Sequence, residues 1–167
     1  MLNTYIYFLR FETAFYLVAL EHIRKILLES TEAASFMWRT PMDFLQRYFG
    51  KDLFLPPPQL YELSRFLNYK RLDELLEFEQ IRSKEGITHM LPVIQNCTDG
   101  SVSLLPGDDF YPSDPQGSDQ AEVINLTMME YRSKTQKLHR IEFFNNSKPL
   151  IQLNCSSTDD HFSPTNI

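Results

Sequence analysis

Cysteine is scarce in this chain: Cys97 and Cys155, two of 167 residues, exclude a disulfide scaffold and a four-thiolate zinc site, and they suit a reducing compartment. Glycine is scarcer still for the length, five in all with none before Gly50, and no Walker loop or dinucleotide fingerprint occurs. Basic residues are outnumbered, sixteen Lys and Arg against 22 Asp and Glu, and a net charge of -6 has the wrong sign for holding a phosphate backbone by bulk electrostatics. A nucleic-acid partner is therefore not expected. Arg10 and Glu12 interrupt the apolar stretch from Tyr5 to Leu20, so no uncharged run approaches the roughly 18 residues of a membrane span, and no basic leader marks a signal peptide. The sequons at Asn96, Asn125, Asn145 and Asn154 read as chance tripeptides without an export signal. The expectation is a soluble intracellular chain without a membrane partner.

What the chain does have is 43% apolar and 13% aromatic residues, enough for a core. Its charge is uneven: residues 1–90 hold 11 bases and 12 acids, residues 91–167 hold 5 and 10. A boundary near Gly86 is predicted, giving segments 1–86 and 87–155, with 156–167 as a polar, flexible tail.

Arg10–Leu20 is apolar on both alternating faces, as in a central strand covered by layers on either side; a buried helix fits Phe11, Phe15 and Val18 as well. Aromatic and β-branched content favours the strand, and a strand so covered needs neighbours that should precede it. Ser35–Arg39 reads as a short strand. Thr40 as N-cap, Pro41 in the first turn and Asp43 three after the cap start a helix with Phe44, Leu45, Tyr48 and Phe49 inward and Gly50 as a left-handed stop. Pro56-Pro57-Pro58 leads into a second helix at about Gln59–Asn68, and a third at about Arg71–Arg82 has Leu72, Leu75, Leu76 and Ile81 as its core stripe. Beyond Gly86 the period falls to two. Met90–Gln95 and Ser101–Leu105 flank Thr98-Asp99-Gly100, where the Asp-Gly pair permits positive φ in a hairpin. Pro106–Asp109 closes it, Phe110–Gln120 reads as an exposed loop, and Leu138–Phe144 pairs with Leu150–Asn154 in a second hairpin.

Catalytic signatures are absent in turn. No Gly-x-Ser-x-Gly occurs, and His22, His89, His139 and His161 are scattered and read as surface or satisfied core residues. The acidic run Asp99, Asp108, Asp109, Asp114, Asp119, Glu122 misses the EF-hand spacing, with Phe110 or Asp119 at positions that need a ligand or a glycine, and reads as a solvated loop.

Arg10-Phe11-Glu12-Thr13-Ala14-Phe15-Tyr16, Trp38-Arg39-Thr40-Pro41-Met42-Asp43, Leu55-Pro56-Pro57-Pro58-Gln59-Leu60-Tyr61-Glu62 and Leu104-Leu105-Pro106-Gly107-Asp108-Asp109-Phe110-Tyr111 stand in the order of one family. They resemble the Nudix hydrolases, in the acyl-coenzyme A diphosphatase branch of the nucleoside diphosphate-linked moiety X motif nineteen type. The resemblance implies an α/β (α+β) fold, a partial Nudix fold with a mixed β-sheet packed between helices and a C-terminal β-hairpin extension. It implies metal-dependent cleavage, with Mg²⁺ or Mn²⁺, of the pyrophosphate of coenzyme A or its acyl esters to adenosine 3',5'-bisphosphate and (acyl-)4'-phosphopantetheine. A peroxisomal or mitochondrial location follows from the likeness, although no targeting signal is recognisable in the sequence.

The departure from the family is specific. The Nudix box, Gly-x5-Glu-x7-Arg-Glu-x2-Glu-Glu-x-Gly, gathers carboxylates around a hard cation. Six residues after Gly50, Gly86, Gly100, Gly107 and Gly117 stand Pro56, Pro92, Pro106, Ser113 and Val123, so no box occurs. The chain thus resembles the C-terminal part of the family's proteins. Glu32, six residues before Trp38, matches the extra loop glutamate that many Nudix enzymes use as metal ligand or general base. It is the one catalytic candidate, with His22-Ile23-Arg24-Lys25 as a weaker phosphate contact; a solvated loop glutamate is the competing reading. Without the box the expectation is no hydrolysis as written; the alternatives are a non-catalytic binding module or a truncated gene product of the family.

Overall fold

The computed structural model describes residues 12–31, 33–87, 89–116, 122–145 and 148–155. It divides into two units, Met1–Phe36 and Met37–Ile167.

In the first unit the described residues form neither helix nor strand. The strand expected over Arg10–Leu20 is absent from residues 12–20. A strand exists through its ladder, and among the described residues no strand of the sheet pairs with this segment. Tyr16, Val18, Ile23 and Leu27 are in consequence strongly exposed. The short strand expected at Ser35–Arg39 is absent for the same reason. Local order is confined to one turn, where Ala33 N–H donates to Glu29 O at 3.0 Å and the Glu29 carboxylate accepts from Thr31.

The second unit is a mixed α+β layer structure. Helix α1 (Pro41–Phe49) starts as read: Thr40 Oγ1 accepts from Asp43 N–H at 3.1 Å, and Asp43 accepts from Thr40 N–H. Its end differs. Gly50 is right-handed (φ -75°), and Lys51 takes the left-handed conformation at φ 66°. Helix α2 (Pro57–Phe66) starts earlier than expected, because Pro57 and Pro58 carry no N–H that an initial turn would leave unpaired. Helix α3 (Leu72–Arg82) is followed by a 3₁₀ turn, Ser83–Glu85. Its expected core stripe is corrected: Leu72 and Ile81 are 57% and 59% exposed, and only Leu75 and Leu76 are partly covered.

The sheet contains β1 (Val93–Cys97), β2 (Gly100–Leu104), β3 (Glu122–Val123), β4 (His139–Phe144) and β5 (Leu150–Leu153), in the order β3-β1-β2-β4-β5. All neighbours are antiparallel except β1 and β3, which run parallel, so the sheet is mixed. Both expected hairpins are present. The expected mixed sheet between helices is therefore found, but its strands all come from residues 93–153. Its two faces are covered by different elements. Ile141 and Ile151 pair across β4 and β5 and pack with Leu105 against Leu45, Leu60 and Tyr61 of α1 and α2. On the reverse face Val93, Val102 and Leu104 meet Tyr131 of α4 (Met128–Arg132), with Phe110 and Tyr111 alongside. Each such fully buried aliphatic side chain contributes about 1.5–3 kcal/mol of transfer free energy. The two helices and the sheet, on either side of Gly86, share one core.

Gly100 is glycine for a reason other than turn dihedrals. Its φ is not positive, and a Cβ there would lie 2.3 Å from Phe143 O and 2.8 Å from Met128 Cε. Close approach of β2, β4 and α4 is what excludes a side chain. Gly107, by contrast, takes φ 98° in the turn after β2, where a side chain would be strained.

Candidate functional site

The Leu-Leu-Pro-Gly-Asp-Asp-Phe-Tyr block converges on a buried polar cluster. The turn at Gly107 delivers Asp108 to the sheet face below β4, where both its side chain and that of Arg140 have no exposed surface. Arg140 Nε and Nη2 donate to the two Asp108 oxygens at 2.6 and 2.5 Å, a bidentate pair. The same carboxylate accepts the backbone N–H of His139 at 2.9 Å and of Phe110 at 3.0 Å. The guanidinium lies 5.4 Å from the Tyr131 ring centroid and 5.7 Å from that of Phe110, and these rings stack at 4.5 Å. Asp108 is thus buried and fully engaged, which corrects its reading as part of a solvated acidic run. Phe110 and Tyr111 are likewise anchored, Tyr111 by donating its O–H to Leu91 O at 2.8 Å, and do not belong to an exposed loop. Asp109 is the exposed neighbour, and it accepts from Gln136 and Lys137 N–H, both at 2.8 Å.

His139 is a satisfied core histidine. Its Nδ1 lies 2.6 Å from Pro106 O, an acceptor only, so that nitrogen carries the hydrogen. In the neutral ring Nε2 then accepts from the Tyr61 hydroxyl at 2.9 Å, tying α2 to the Pro106 turn. Glu142 is paired with Arg132, and Gln95 joins Tyr131 and Glu122.

This cluster is structural in character. Its acids are bound to guanidinium or backbone donors, and its thiols are poor nucleophiles: burial pushes both Cys97 and Cys155 upward, and nearby acids push the same way. Among the described residues no group of three or more His, Cys, Asp or Glu side chains converges as a metal site would require. The described residues therefore do not by themselves fit the hard-cation site that the family resemblance implies.

Glu32, the candidate loop carboxylate, lies outside the described residues. His22, Ile23, Arg24 and Lys25 are exposed in the first unit, without regular structure.

A cleft that sequence reading missed runs along α1. Arg39, Asp43, Gln46, Arg47 and Asp52 line an open, polar cavity of about 380 Å³. Asp43, Gln46 and Arg47 lie at helical spacing on α1, and Arg39 precedes its N-cap. After Lys51 reverses the chain, Asp52 N–H donates to Arg47 O at 2.9 Å, which returns Asp52 to the helix end. Arg39 Nη1 donates to Trp38 O at 3.0 Å, and neither Arg39 nor Arg47 forms an ion pair with the two acids of the cleft.

Two family models match the chain: one described as the NUDT19 Nudix domain over residues 3–66, and one as the NUDT19 C-terminal domain over residues 94–154. The acyl-coenzyme A diphosphatase NUDT19 of Xenopus laevis is 35% identical over 161 residues, covering 95% of this chain and 42% of the relative. Its namesake from Gallus gallus is 34% identical over 162 residues (93% and 42%), and that from Homo sapiens 30% over 157 residues (94% and 42%). The chain thus spans 42% of the length of these relatives. No solved structure matches.

Proposed function

This chain belongs to the NUDT19 family of Nudix hydrolases, and from that premise we propose that its 167 residues carry the scaffold of an acyl-coenzyme A diphosphatase without the means to cleave the pyrophosphate. The observation that carries the proposal is the missing box. Family chemistry needs a divalent ion, Mg²⁺ or Mn²⁺, to neutralise pyrophosphate charge and help activate water. Here the acids in and near the family-like blocks are spent otherwise: Asp108 on Arg140, Glu142 on Arg132, Asp43 on the cap of α1. Glu32 remains the candidate carboxylate, but a single acid does not make a hard-cation cage. The substrate class proposed is coenzyme A or its acyl esters, in a peroxisomal or mitochondrial setting.

The test is incubation with coenzyme A and with a long-chain acyl ester, in Mg²⁺ and in Mn²⁺, followed by chromatography for adenosine 3',5'-bisphosphate. The proposal expects product at the no-protein level. Metal-dependent turnover within the usual enzymatic range, on the order of 1 s⁻¹ or faster, would overturn it.

A second reading, a non-catalytic binding module, is favoured by the apolar side chains at Tyr16, Val18, Ile23 and Leu27, which are 88%, 74%, 75% and 86% exposed. It expects concentration-dependent association that polar substitutions at these four positions abolish; a monomer at every concentration with no partner for the segment would rule against it.

A further inference from the structure

We propose that the face of α1 that carries the open cleft is an interface between two copies of this chain, related by a two-fold axis. The first ground is charge. Arg39, Arg47, Asp43 and Asp52 line one cavity, two groups of each sign, and among the described residues no ion pair forms between them. Asp43 accepts from Thr40 N–H, and Arg39 donates to Trp38 O, so the remaining donors of the guanidinium fork face the open cleft side of the chain unpaired with acid. Equal numbers of opposite charges make such a patch complementary to itself. Turned about a two-fold, the arginines of one copy meet the aspartates of the other, and every contact occurs twice. A partner of single sign fits less well, because an acidic surface meets Asp52 and a basic one meets Arg39 and Arg47. The second ground is apolar. Trp38 adjoins Arg39 in the chain, Met42 adjoins Asp43, and Phe54 stands two beyond Asp52; all three side chains are exposed. Tryptophan, phenylalanine, methionine and arginine are the residues in which protein–protein interfaces are enriched, whereas exposed ion pairs alone contribute little. The aromatic side chains therefore supply most of the affinity, and the charges set the orientation. A two-fold contact is closed, so assembly stops at two copies.

The interface does not rest on the function proposed above, and charge reversal tests it. Sedimentation velocity of the full 167-residue chain, from about 1 μM to about 1 mM, is expected to show a monomer–dimer equilibrium with its midpoint in the micromolar range and no larger species. Arg39→Glu and Asp52→Lys, both at exposed positions, each set like charges against one another twice across the axis, and each is expected to weaken the dimer at least about tenfold. Mixing the two variants brings opposite charges back to every contact, as does a single chain that carries both changes. In both cases the affinity is expected to return to within about threefold of the unaltered chain. Trp38→Ser is expected to weaken the dimer at least about tenfold, without rescue by either charge variant. Urea unfolding of each variant separates a folding defect from a lost contact. A monomer at every concentration, growth beyond two copies, a reversal that weakens the dimer without rescue on mixing, or an unaffected Trp38→Ser would each overturn the interface. Association that ignores both reversals would overturn it as well, and would assign the contact to the exposed apolar side chains of the first unit.

Discussion

Replacing Asp108 by alanine isolates the energetic role of the buried cluster. The substitution removes both partners of the Arg140 fork, at 2.6 and 2.5 Å, and leaves a guanidinium with no exposed surface unpaired. It also strands the backbone donors of His139 and Phe110. Breaking a buried pair in this way costs about 3–5 kcal/mol, which compares with a total stability of roughly 5–15 kcal/mol for a domain. With a urea dependence of about 1–3 kcal/mol per molar, the unfolding midpoint should fall by roughly 1–5 M, read by circular dichroism or by Trp38 fluorescence. The double replacement Asp108→Leu with Arg140→Met should be far less harmful than Asp108→Ala, because no uncompensated charge remains. A loss under about 1 kcal/mol for the single variant, or a double variant that sums both single losses, would refute the reasoning.

Gly100→Ala should destabilise by about 1–3 kcal/mol, because its Cβ would sit 2.3 Å from Phe143 O, a backbone atom with little room to yield; a melting curve checks this. Thr40→Ala removes one half of the α1 capping box and should cost roughly 1 kcal/mol, with Thr40→Ser restoring most of it. Burial pushes Tyr131 up to about 12, with Arg140 opposing and Asp108 reinforcing the rise, and Tyr69 is pushed up to about 12 mainly by burial as well. Both groups bind their proton more tightly when folded, so the stability they contribute is complete below about pH 10 and is lost as pH rises toward 12. Alkaline titration at 295 nm should show late-titrating tyrosines that disappear in urea.

Local signals explain which parts of the fold were legible. The Thr40-Pro41-Asp43 start of α1 and the pairing of the two hairpins are written in neighbouring residues, and they form, although the first hairpin turns without the positive φ expected at its Asp-Gly pair. The strand over residues 12–20 was inferred from double-sided apolarity, which reports what the segment needs but not whether partners are at hand. The same limit applies to β3 and α4, two and five residues long, whose positions depend on contacts to Gln95 and Asp99. Thr127 and Glu130 form a full capping box at α4, so that helix did leave a local mark. The buried pair was hidden because Asp108 and Arg140 are 32 residues apart and each looks like a surface charge alone. One clue was available: Arg140 and Glu142 alternate with His139, Ile141 and Phe143 in β4, and charges at that period need partners on a covered face. Of the candidate site, Glu32 came from family likeness, whereas the α1 cleft is written in helical spacing that carries no chemistry until Lys51 folds Asp52 back.

The central claim is that these residues hold no cage for a divalent ion, and Mn²⁺ binding tests it most directly. Titration of the 167-residue chain with Mn²⁺, followed by the electron paramagnetic resonance signal of free ion, should show no site tighter than about millimolar at neutral pH. A stoichiometric micromolar site, abolished by replacing acidic side chains, would contradict the account.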